Sequence, residues 1–269
     1  MKFKNVLLAS DFDGTLKTDD GIIEDNVKKA IGYFMDNGGL FTVCTGRIHQ
    51  GFHLYNEEYI NAPVLLGNGA MAYDYKNNKI IFNDAIGEEG IPCIKAILEK
   101  FPNVPIEFYN FDKVCAINLN EHSQKHFTSQ DISFEEITKP EDAPLPWTKV
   151  MVAAHGCSEE VQKIIAEHTE VNYLKTSGDY VEILKKGVDK GTGLLKLAKA
   201  LGCKKEDTYS AGDGYNDVEM LVAANAGFVP ENGSKEALSV AKYVTRSNNN
   251  GCIAHAIEIL DDKYKKNLV

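Results

Sequence analysis

The chain has 269 residues, of which 43% are hydrophobic and 25% are charged, and its formal net charge is −10. This length exceeds one typical single-core domain, so we expect one large or two smaller globular domains. An acidic chain without a Lys/Arg-rich block is a poor ligand for nucleic acid or an anionic membrane, and both classes of partner are excluded. The apolar runs are only as long as strands, which excludes a transmembrane helix.

The N-terminal residues lead directly into the apolar run 6–9, which predicts a buried strand. A signal peptide would have to remove this strand, so we expect a cytoplasmic protein. The cysteines are widely scattered without C-x-x-C spacing, which is typical of reduced, buried thiols in a cytosolic chain. They are Cys44, Cys93, Cys115, Cys157, Cys203 and Cys252.

Two carboxylates, Asp11 and Asp13, follow this first strand in the sequence Asp-Phe-Asp-Gly-Thr-Leu at 11–16. In an open parallel α/β sheet, ligands bind at the carboxyl ends of the strands. Carboxylates that end a buried strand are costly unless they have partners, so both are candidate site residues. The alternative is a surface turn that the side chain of Asp13 stabilises, but it leaves the downstream motifs unexplained.

The next predicted elements form a strand–helix–strand unit, which is typical of a parallel sheet. Apolar residues at helical spacing, from Val27 to Phe34, predict a helix, and residues 40–45 predict a second strand. A further strand is predicted at 64–66, and residues 71–75 and 79–83 predict a hairpin.

From residue 84 to 186 the pattern changes to strands that pair locally. We predict a helix through Ile91, Ile94 and Leu98, strands at 105–110, 113–119 and 149–154, a helix capped by Ser158, and a hairpin with its turn at 177–179. Such a segment predicts an antiparallel sheet with helices on one face. The whole chain is therefore expected to be an α/β protein, with a Rossmann-like parallel sheet core from 1–83 and 187–269 and an inserted α+β domain.

After the insertion, strands and helices alternate again. We predict a helix at 190–201, a strand at 208–211, a helix at 216–224, a strand at 227–229, a short helix capped by Ser234 and a C-terminal helix through Ile257.

Polar residues lie at the ends of three of these core elements. Thr45-Gly46-Arg47 follows the second strand, Lys190 begins a helix, and residues 212–217 read Gly-Asp-Gly-Tyr-Asn-Asp. In one parallel sheet they would converge with Asp11. The hydroxyl of Thr45, the N–H groups of Thr45 and Gly46 and the charge of Lys190 suit a phosphate group. Each motif alone has an ordinary structural explanation, but their joint occurrence predicts phosphoryl transfer.

The clustered acids predict a metal ion. Asp11, Asp13, Asp213 and Asp217 would repel one another and a phosphate unless a divalent cation lay among them. A donor set of oxygens favours magnesium. His122 and His126 are four residues apart, but a third zinc ligand is missing, and we expect both on the surface.

Taken together, the motifs resemble those of the haloacid dehalogenase-like hydrolases, in particular the Cof-like phosphatase branch. Residues 11–16 match the first motif of that family, Thr45 the second, Lys190 the third, and residues 212–217 the fourth. The resemblance covers almost the whole chain.

The resemblance implies that Asp11 is a nucleophile that forms an aspartyl-phosphate and that Asp13 is the general acid and base. It implies phosphate binding by Thr45, Gly46, Lys190 and Asn216. It also implies Mg²⁺ bound by Asp11, the carbonyl of Asp13 and Asp213, with Asp217 either binding the ion or supporting a ligand. Arg47 and Asn68 are possible contacts of the leaving group.

The implied function is a magnesium-dependent phosphatase of small phosphorylated metabolites, sugar phosphates first, in which the inserted domain is a cap that chooses the substrate. A phosphomutase of the same superfamily is the runner-up. A phosphoacceptor signalling module is the alternative from another class, but the retained Asp13 and the large insertion favour an enzyme. The physiological substrate stays open, and so does the choice between a monomer and a weak dimer.

Overall fold

The computed structural model describes residues 1–175 and 180–265, apart from the side chains of His122 and Lys175. The chain divides into two compact units. The first comprises Met1–Gly46, Leu54–Ile81 and Asp189–Val269, and the second comprises Arg47–His53 and Phe82–Val188. The insertion predicted at 84–186 falls within the second unit, which also contains the short segment Arg47–His53.

The described residues form eight α-helices and fourteen strands. The helices are α1 (Asp25–Asp36), α2 (Ile91–Lys100), α3 (Glu121–Ser129), α4 (Ser158–Ala166), α5 (Lys190–Ala200), α6 (Val218–Ala223), α7 (Lys235–Val240) and α8 (Cys252–Lys265). The strands are β1 (Leu7–Ser10), β2 (Leu40–Val43), β3 (Val64–Leu66), β4 (Met71–Asp74), β5 (Lys79–Asn83), β6 (Ile106–Tyr109), β7 (Val114–Ile117), β8 (Glu135–Glu136), β9 (Lys149–Ala153), β10 (Val171–Lys175), β11 (Tyr180–Lys185), β12 (Thr208–Ala211), β13 (Ala226–Pro230) and β14 (Tyr243–Thr245).

The first unit is built on a parallel sheet with the strand order β14-β13-β12-β1-β2. Ser10, the last residue of β1, lies opposite Ala211 of β12 and Val43 of β2. These three neighbouring strands therefore end level, and the residues that follow them emerge at one edge of the sheet. The α/β fold with a parallel sheet core, as predicted from the sequence, is confirmed.

The core elements follow the apolar pattern of the sequence. All residues of β1 and β12 are buried, as expected for strands covered on both faces. Helix α1 buries Val27, Ile31 and Phe34, which recur at helical spacing, and α1 packs against α8. Outside the parallel sheet, β3, β4 and β5 form a small sheet of their own, which an isolated bridge between Cys44 and Leu65 connects to the end of β2.

The second unit contains a six-stranded sheet in the order β10-β11-β9-β6-β7-β8, antiparallel except for the pairing of β7 with β8. Helices α2 and α4 pack on the face that carries Phe108 and Val150. Alternate residues of the same strands, Tyr109 and Met151, pack instead with Phe127 of α3. The prediction of helices on one face is therefore wrong, because the unpredicted helix α3 covers the other face.

Of the two helix caps predicted from the sequence, one is wrong and one is confirmed. Ser158 is the first residue of α4 rather than its cap, because Cys157 occupies the capping position, and the Ser158 hydroxyl instead accepts a hydrogen bond from Gln162 (2.9 Å). Ser234 does cap α7, where it accepts a hydrogen bond from the N–H of Ala237 (3.2 Å). The turn predicted at 177–179 lies outside the described residues.

None of the helices in the described ranges is both long enough and apolar enough to cross a membrane.

Candidate active site

The loop that follows β1, residues Phe12–Leu16, lies against Asp213. The main-chain N–H of Asp11 donates to the carbonyl of Ala211 (2.8 Å), so the first motif starts in register with β12. Gly14 has φ +89°, and a Cβ there would lie 2.7 Å from Oδ2 of Asp213. Only glycine allows the loop to approach Asp213 this closely. In this position the hydroxyl of the next residue, Thr15, donates a hydrogen bond to Oδ1 of Asp213 (2.6 Å).

Lys190, the first residue of α5, is completely buried. Its Nζ donates to Oδ1 of Asp11 (2.5 Å) and to Oδ1 of Asp217 (2.6 Å). A lysine at a helix start is usually exposed, but here two carboxylates hold it at the carboxyl edge of the sheet. The structure thus brings together the first, third and fourth sequence motifs.

Asp217 is fully engaged by protein groups. While its Oδ1 accepts from Lys190, its Oδ2 accepts from the main-chain N–H groups of Asp213 (3.0 Å) and Gly214 (2.9 Å). The side chain is 1% exposed. Asp217 therefore fixes both the lysine and the loop that carries Asp213.

Burial and the charges of neighbouring carboxylates raise the pKa of Asp11 and of Asp213. Burial raises the pKa of Asp11 well above its usual range, Lys190 opposes the rise, and the charges of Asp217 and Asp213 add to it. Burial also raises the pKa of Asp213, against the hydrogen bond from Thr15. Burial alone would lower the pKa of Lys190, but Asp11 and Asp217 reverse this and raise it, so the lysine stays charged.

The donor set fits a hard divalent cation. Asp11, Asp213 and Asp217 each offer a carboxylate oxygen, and these oxygens lie within 4.8 Å of one another. Three carboxylates facing one ammonium leave excess negative charge in a buried place, which a divalent cation would compensate.

The two histidines considered as zinc ligands lie in the second unit. His126, expected on the surface, is half-buried, and its Nδ1 lies 3.0 Å from Oε2 of Glu107. The side chain of His122 is outside the described residues.

Asp13 has an environment unlike that of Asp11. Its side chain is 52% exposed, and one oxygen lies 3.4 Å from Nζ of Lys17, which also lies over the ring of Phe12. Lys17 was not among the site residues predicted from the sequence. The signal that could have identified it is the spacing of four residues between Asp13 in the first motif and the basic residue that directly follows the motif.

Thr45 and Gly46 of the second motif lie in the first unit, as does Asn216. Thr45 is buried, and its N–H donates to the carbonyl of Leu65 (2.9 Å), so any phosphate contact of Thr45 would come from its hydroxyl rather than from the predicted N–H. Asn216 is half-buried, and its Nδ2 donates to Oδ1 of Asn68 (3.1 Å). Asn68, predicted as a possible substrate contact, is itself completely buried.

Arg47, the other possible substrate contact, belongs to the second unit. Its Nη1 lies 3.4 Å from the carbonyl oxygen of Gly51 in the same segment. Cys44, beside the second motif, is a buried free thiol, and burial raises its pKa, so it is a core residue as predicted.

Comparison with known proteins shows the same family along nearly the whole chain. Residues 8–257 match the model of the haloacid dehalogenase-like hydrolases. A candidate phosphatase of Buchnera aphidicola subsp. Baizongia pistaciae is 30% identical, over 89% of this chain and 97% of that protein. The pyridoxal phosphate phosphatase YbhA of Escherichia coli is 25% identical, over 93% and 97%. A solved subclass IIB sugar phosphatase of the HAD superfamily has a TM-score of 0.85 at 22% identity, covering 95% of this chain and 99% of that one.

The chain therefore belongs to the haloacid dehalogenase-like hydrolases, as the resemblance of its motifs implied. Within that family it is an enzyme of the phosphatase class.

Proposed function

We propose that this phosphatase hydrolyses small phosphorylated metabolites, sugar phosphates first, through an aspartyl-phosphate on Asp11 and with Mg²⁺ as its metal ion. The observation that carries the proposal is the buried Lys190, which holds the carboxylates of Asp11 and Asp217 beside Asp213. Such a site, with a cation and several acids at the carboxyl edge of a parallel sheet, suits the charge of a transferring phosphoryl group.

Asp11 is the proposed nucleophile. One carboxylate oxygen accepts a hydrogen bond from Lys190, which fixes the side chain. Burial raises the pKa of Asp11, and the ammonium of Lys190 opposes that rise and so supports the ionised form that attack requires. Attack on phosphorus breaks the bond to the leaving oxygen and leaves the phosphoryl group on Asp11.

Asp13 is the proposed acid and base. In its protonated form it gives a proton to the leaving oxygen, and as a carboxylate it then takes a proton from water. The resulting hydroxide attacks phosphorus, which releases inorganic phosphate and restores Asp11. A half-exposed carboxyl next to Lys17 has the access to water that this exchange needs.

The phosphate group would be held by the Thr45 hydroxyl, the backbone of Gly46, Lys190 and Asn216. Asp11, the carbonyl of Asp13 and Asp213 would bind Mg²⁺, which supplies charge neutralisation for the phosphoryl group. Because both oxygens of Asp217 already accept hydrogen bonds, we propose that it supports the lysine and the loop rather than binding the ion.

The second unit is the proposed cap, and it would choose the substrate. It carries a separate sheet and helices and none of the four motifs except the terminal Arg47 of the second. Sugar phosphates come first because one structural neighbour is a sugar phosphatase, although the Escherichia coli relative acts on pyridoxal phosphate. We further propose a cytoplasmic location, in keeping with six free cysteines.

The test is phosphate release from a panel of phosphorylated metabolites by the wild-type protein, Asp11→Asn and Asp25→Asn. Asp11→Asn should be inactive, because an amide is a poor nucleophile and a weaker metal ligand. Asp25 is a 90% exposed carboxylate of the same unit and serves as the matched control, with unchanged activity. A chelator should stop turnover, and Mg²⁺ should restore it.

Wild-type rates in Asp11→Asn, or full activity of protein shown to be metal-free, would contradict the proposal. Incubation with a single hexose phosphate separates the alternatives. A phosphatase gives free sugar and inorganic phosphate, whereas a phosphomutase gives an isomeric hexose phosphate.

A further inference from the structure

We propose that Asn68 is a positioning residue of the phosphate-binding site. The turn Gly67-Asn68-Gly69, called here the 67–69 turn, fixes the positions of Thr45, Lys190 and Asn216 relative to one another. The inference rests on the phosphate-binding roles proposed above and changes the role of Asn68, which the sequence suggested as a substrate contact.

The backbone of the 67–69 turn is left-handed at three successive residues. Gly67 has φ +56°, Asn68 +54° and Gly69 +91°. Asparagine is among the few residues with a side chain that tolerate this region. The N–H of Asn68 donates to the carbonyl of Thr45 (3.0 Å), and the N–H of Thr45 donates to that of Leu65 (2.9 Å). The turn and the strand β3 that leads into it therefore fix the backbone of Thr45 from both sides.

The same turn packs backbone to backbone against the start of α5. A Cβ on Gly69 would lie 2.3 Å from the carbonyl oxygen of Asp189 and 3.1 Å from Cα of Lys190. A Cβ on Gly193, one helical turn further, would lie 2.6 Å from Cα of Gly69. No side chain separates the two segments. The position of the turn therefore determines the position of the Lys190 backbone, from which its side chain extends.

The side chain of Asn68 completes the arrangement. It is 0% exposed, and its Oδ1 accepts the hydrogen bond from Nδ2 of Asn216 (3.1 Å). Both terminal atoms of the amide lie 3.2 Å from the place of a Cβ on Gly46. A fully buried amide that orients Asn216 and packs against Gly46 acts on the phosphate through these two residues.

This role predicts a substrate-independent effect. All substrates share the phosphate group, so a misplaced Asn216 weakens the binding of each of them, and of inorganic phosphate, by the same factor. A residue that touched the leaving group would affect substrates unequally and would leave the affinity for inorganic phosphate unchanged.

The test uses Asn68→Gly, which removes the amide but allows the left-handed backbone. The inhibition constant of inorganic phosphate should rise by roughly five- to tenfold, the scale of one lost hydrogen bond. The kcat/KM values for a sugar phosphate and for a small aryl phosphate should both fall by that factor. Asn78→Gly is the matched control, because Asn78 is an exposed asparagine with φ +50°, and it should change neither value.

A double-mutant cycle with Asn216→Ala makes the inference specific. The two substitutions together should cost little more than Asn216→Ala alone, because Asn68 acts largely through Asn216. Fully additive effects would overturn the positioning role, as would an unchanged inhibition constant in Asn68→Gly or a loss confined to the sugar phosphate. If Asn216→Ala alone leaves phosphate inhibition unchanged, the proposed phosphate site itself fails, which is a separate result.

Folding is checked by circular dichroism and thermal unfolding. If Asn68→Gly does not fold, Asn68→Asp replaces it, since aspartate keeps the shape and the acceptor for Asn216. The positioning role then predicts equal factors for the two substrates, and unequal factors would contradict it.

Discussion

At the scale of single residues, two aspartates in one motif occupy different environments. Asp11 is 7% exposed and bonded to the buried Lys190, whereas the side chain of Asp13 is half-exposed beside Lys17. A fixed, buried carboxylate suits a nucleophile, and an accessible one suits proton exchange with water. The sequence alone could not show that Asp11 is buried, because its partner Lys190 lies 179 residues away and only the fold brings the two together.

For Asp13→Asn we expect turnover to slow by about 100-fold or more, the usual scale for loss of a general acid or base. The proposed metal contact of Asp13 is a main-chain carbonyl, so metal affinity should change little. Steady-state rates and a metal titration measure the two effects. Asp20→Asn, an exposed acid of the following loop, is the control and should keep full activity. A wild-type rate in Asp13→Asn would remove Asp13 from the chemistry.

At the scale of elements, the start of α5 matters most because it carries Lys190. Asp189 caps this helix reciprocally with Thr192, accepting from its N–H (2.7 Å) and donating its own N–H to the hydroxyl (3.0 Å). The first turn of α5 thus has a defined geometry independent of any ligand. The capping pattern was present in the sequence, but the burial of Lys190 was not predictable from it.

Asp189→Ala should lower the free energy of unfolding by about 1 kcal/mol, the usual cost of a lost cap. It should also reduce kcat/KM, because the backbone that places Lys190 loses its anchor. Ser234→Ala is the comparison, because it removes the cap of a different helix, α7. The N–H of Ser234 donates to the carbonyl of Asp213 (2.8 Å), and this main-chain bond remains when the side chain is replaced. Chemical denaturation and steady-state kinetics of both variants decide the matter. Equal activity losses in the two would mean that the cap of α5 has no special effect on Lys190.

The sequence predicted the elements of the core well and those of the second unit less well. The strand Thr208–Ala211 was predicted to the residue, because the charged residues 204–207 precede it and the turn residues Gly212-Asp213-Gly214 follow it. Helix α3 was missed, since its sequence is polar and Phe127 is its principal apolar anchor. The ion pairs of Lys190 could not be read from the sequence, because the partners are 179 and 27 residues away.

At the scale of the whole molecule, chemistry and choice of substrate are proposed to belong to different units. Asp11, Lys190, Asp213 and Asp217 all belong to the first unit, and the second unit has a core of its own around Trp147. The segment Arg47–His53, which follows the second motif, groups with the second unit, and Ile48 is buried there. The sequence did not indicate this, because seven residues are too few to show a pattern.

Replacing residues 82–188 by a short Gly/Ser bridge should lower kcat/KM for sugar phosphates far more than for a small aryl phosphate. The reason is that contacts with the leaving group are lost while the proposed phosphate site stays. The ratio of the two kcat/KM values, in the full and the shortened chain, is the measurement. Thermal unfolding and metal binding first establish that the shortened protein is folded. An unchanged ratio would place selectivity in the first unit.

The phosphorylated form of the enzyme tests the central claim, that Asp11 receives the phosphoryl group, most directly. Asp13→Asn is mixed with an aryl phosphate, whose leaving group needs little protonation, and is quenched in acid. Mass spectrometry of the peptides should then find one phosphoryl group on Asp11, because hydrolysis of the intermediate lacks its base. The same experiment with Asp11→Asn/Asp13→Asn should find none. Release of phosphate by Asp13→Asn with the phosphoryl group on another residue, or on no residue, would contradict the account.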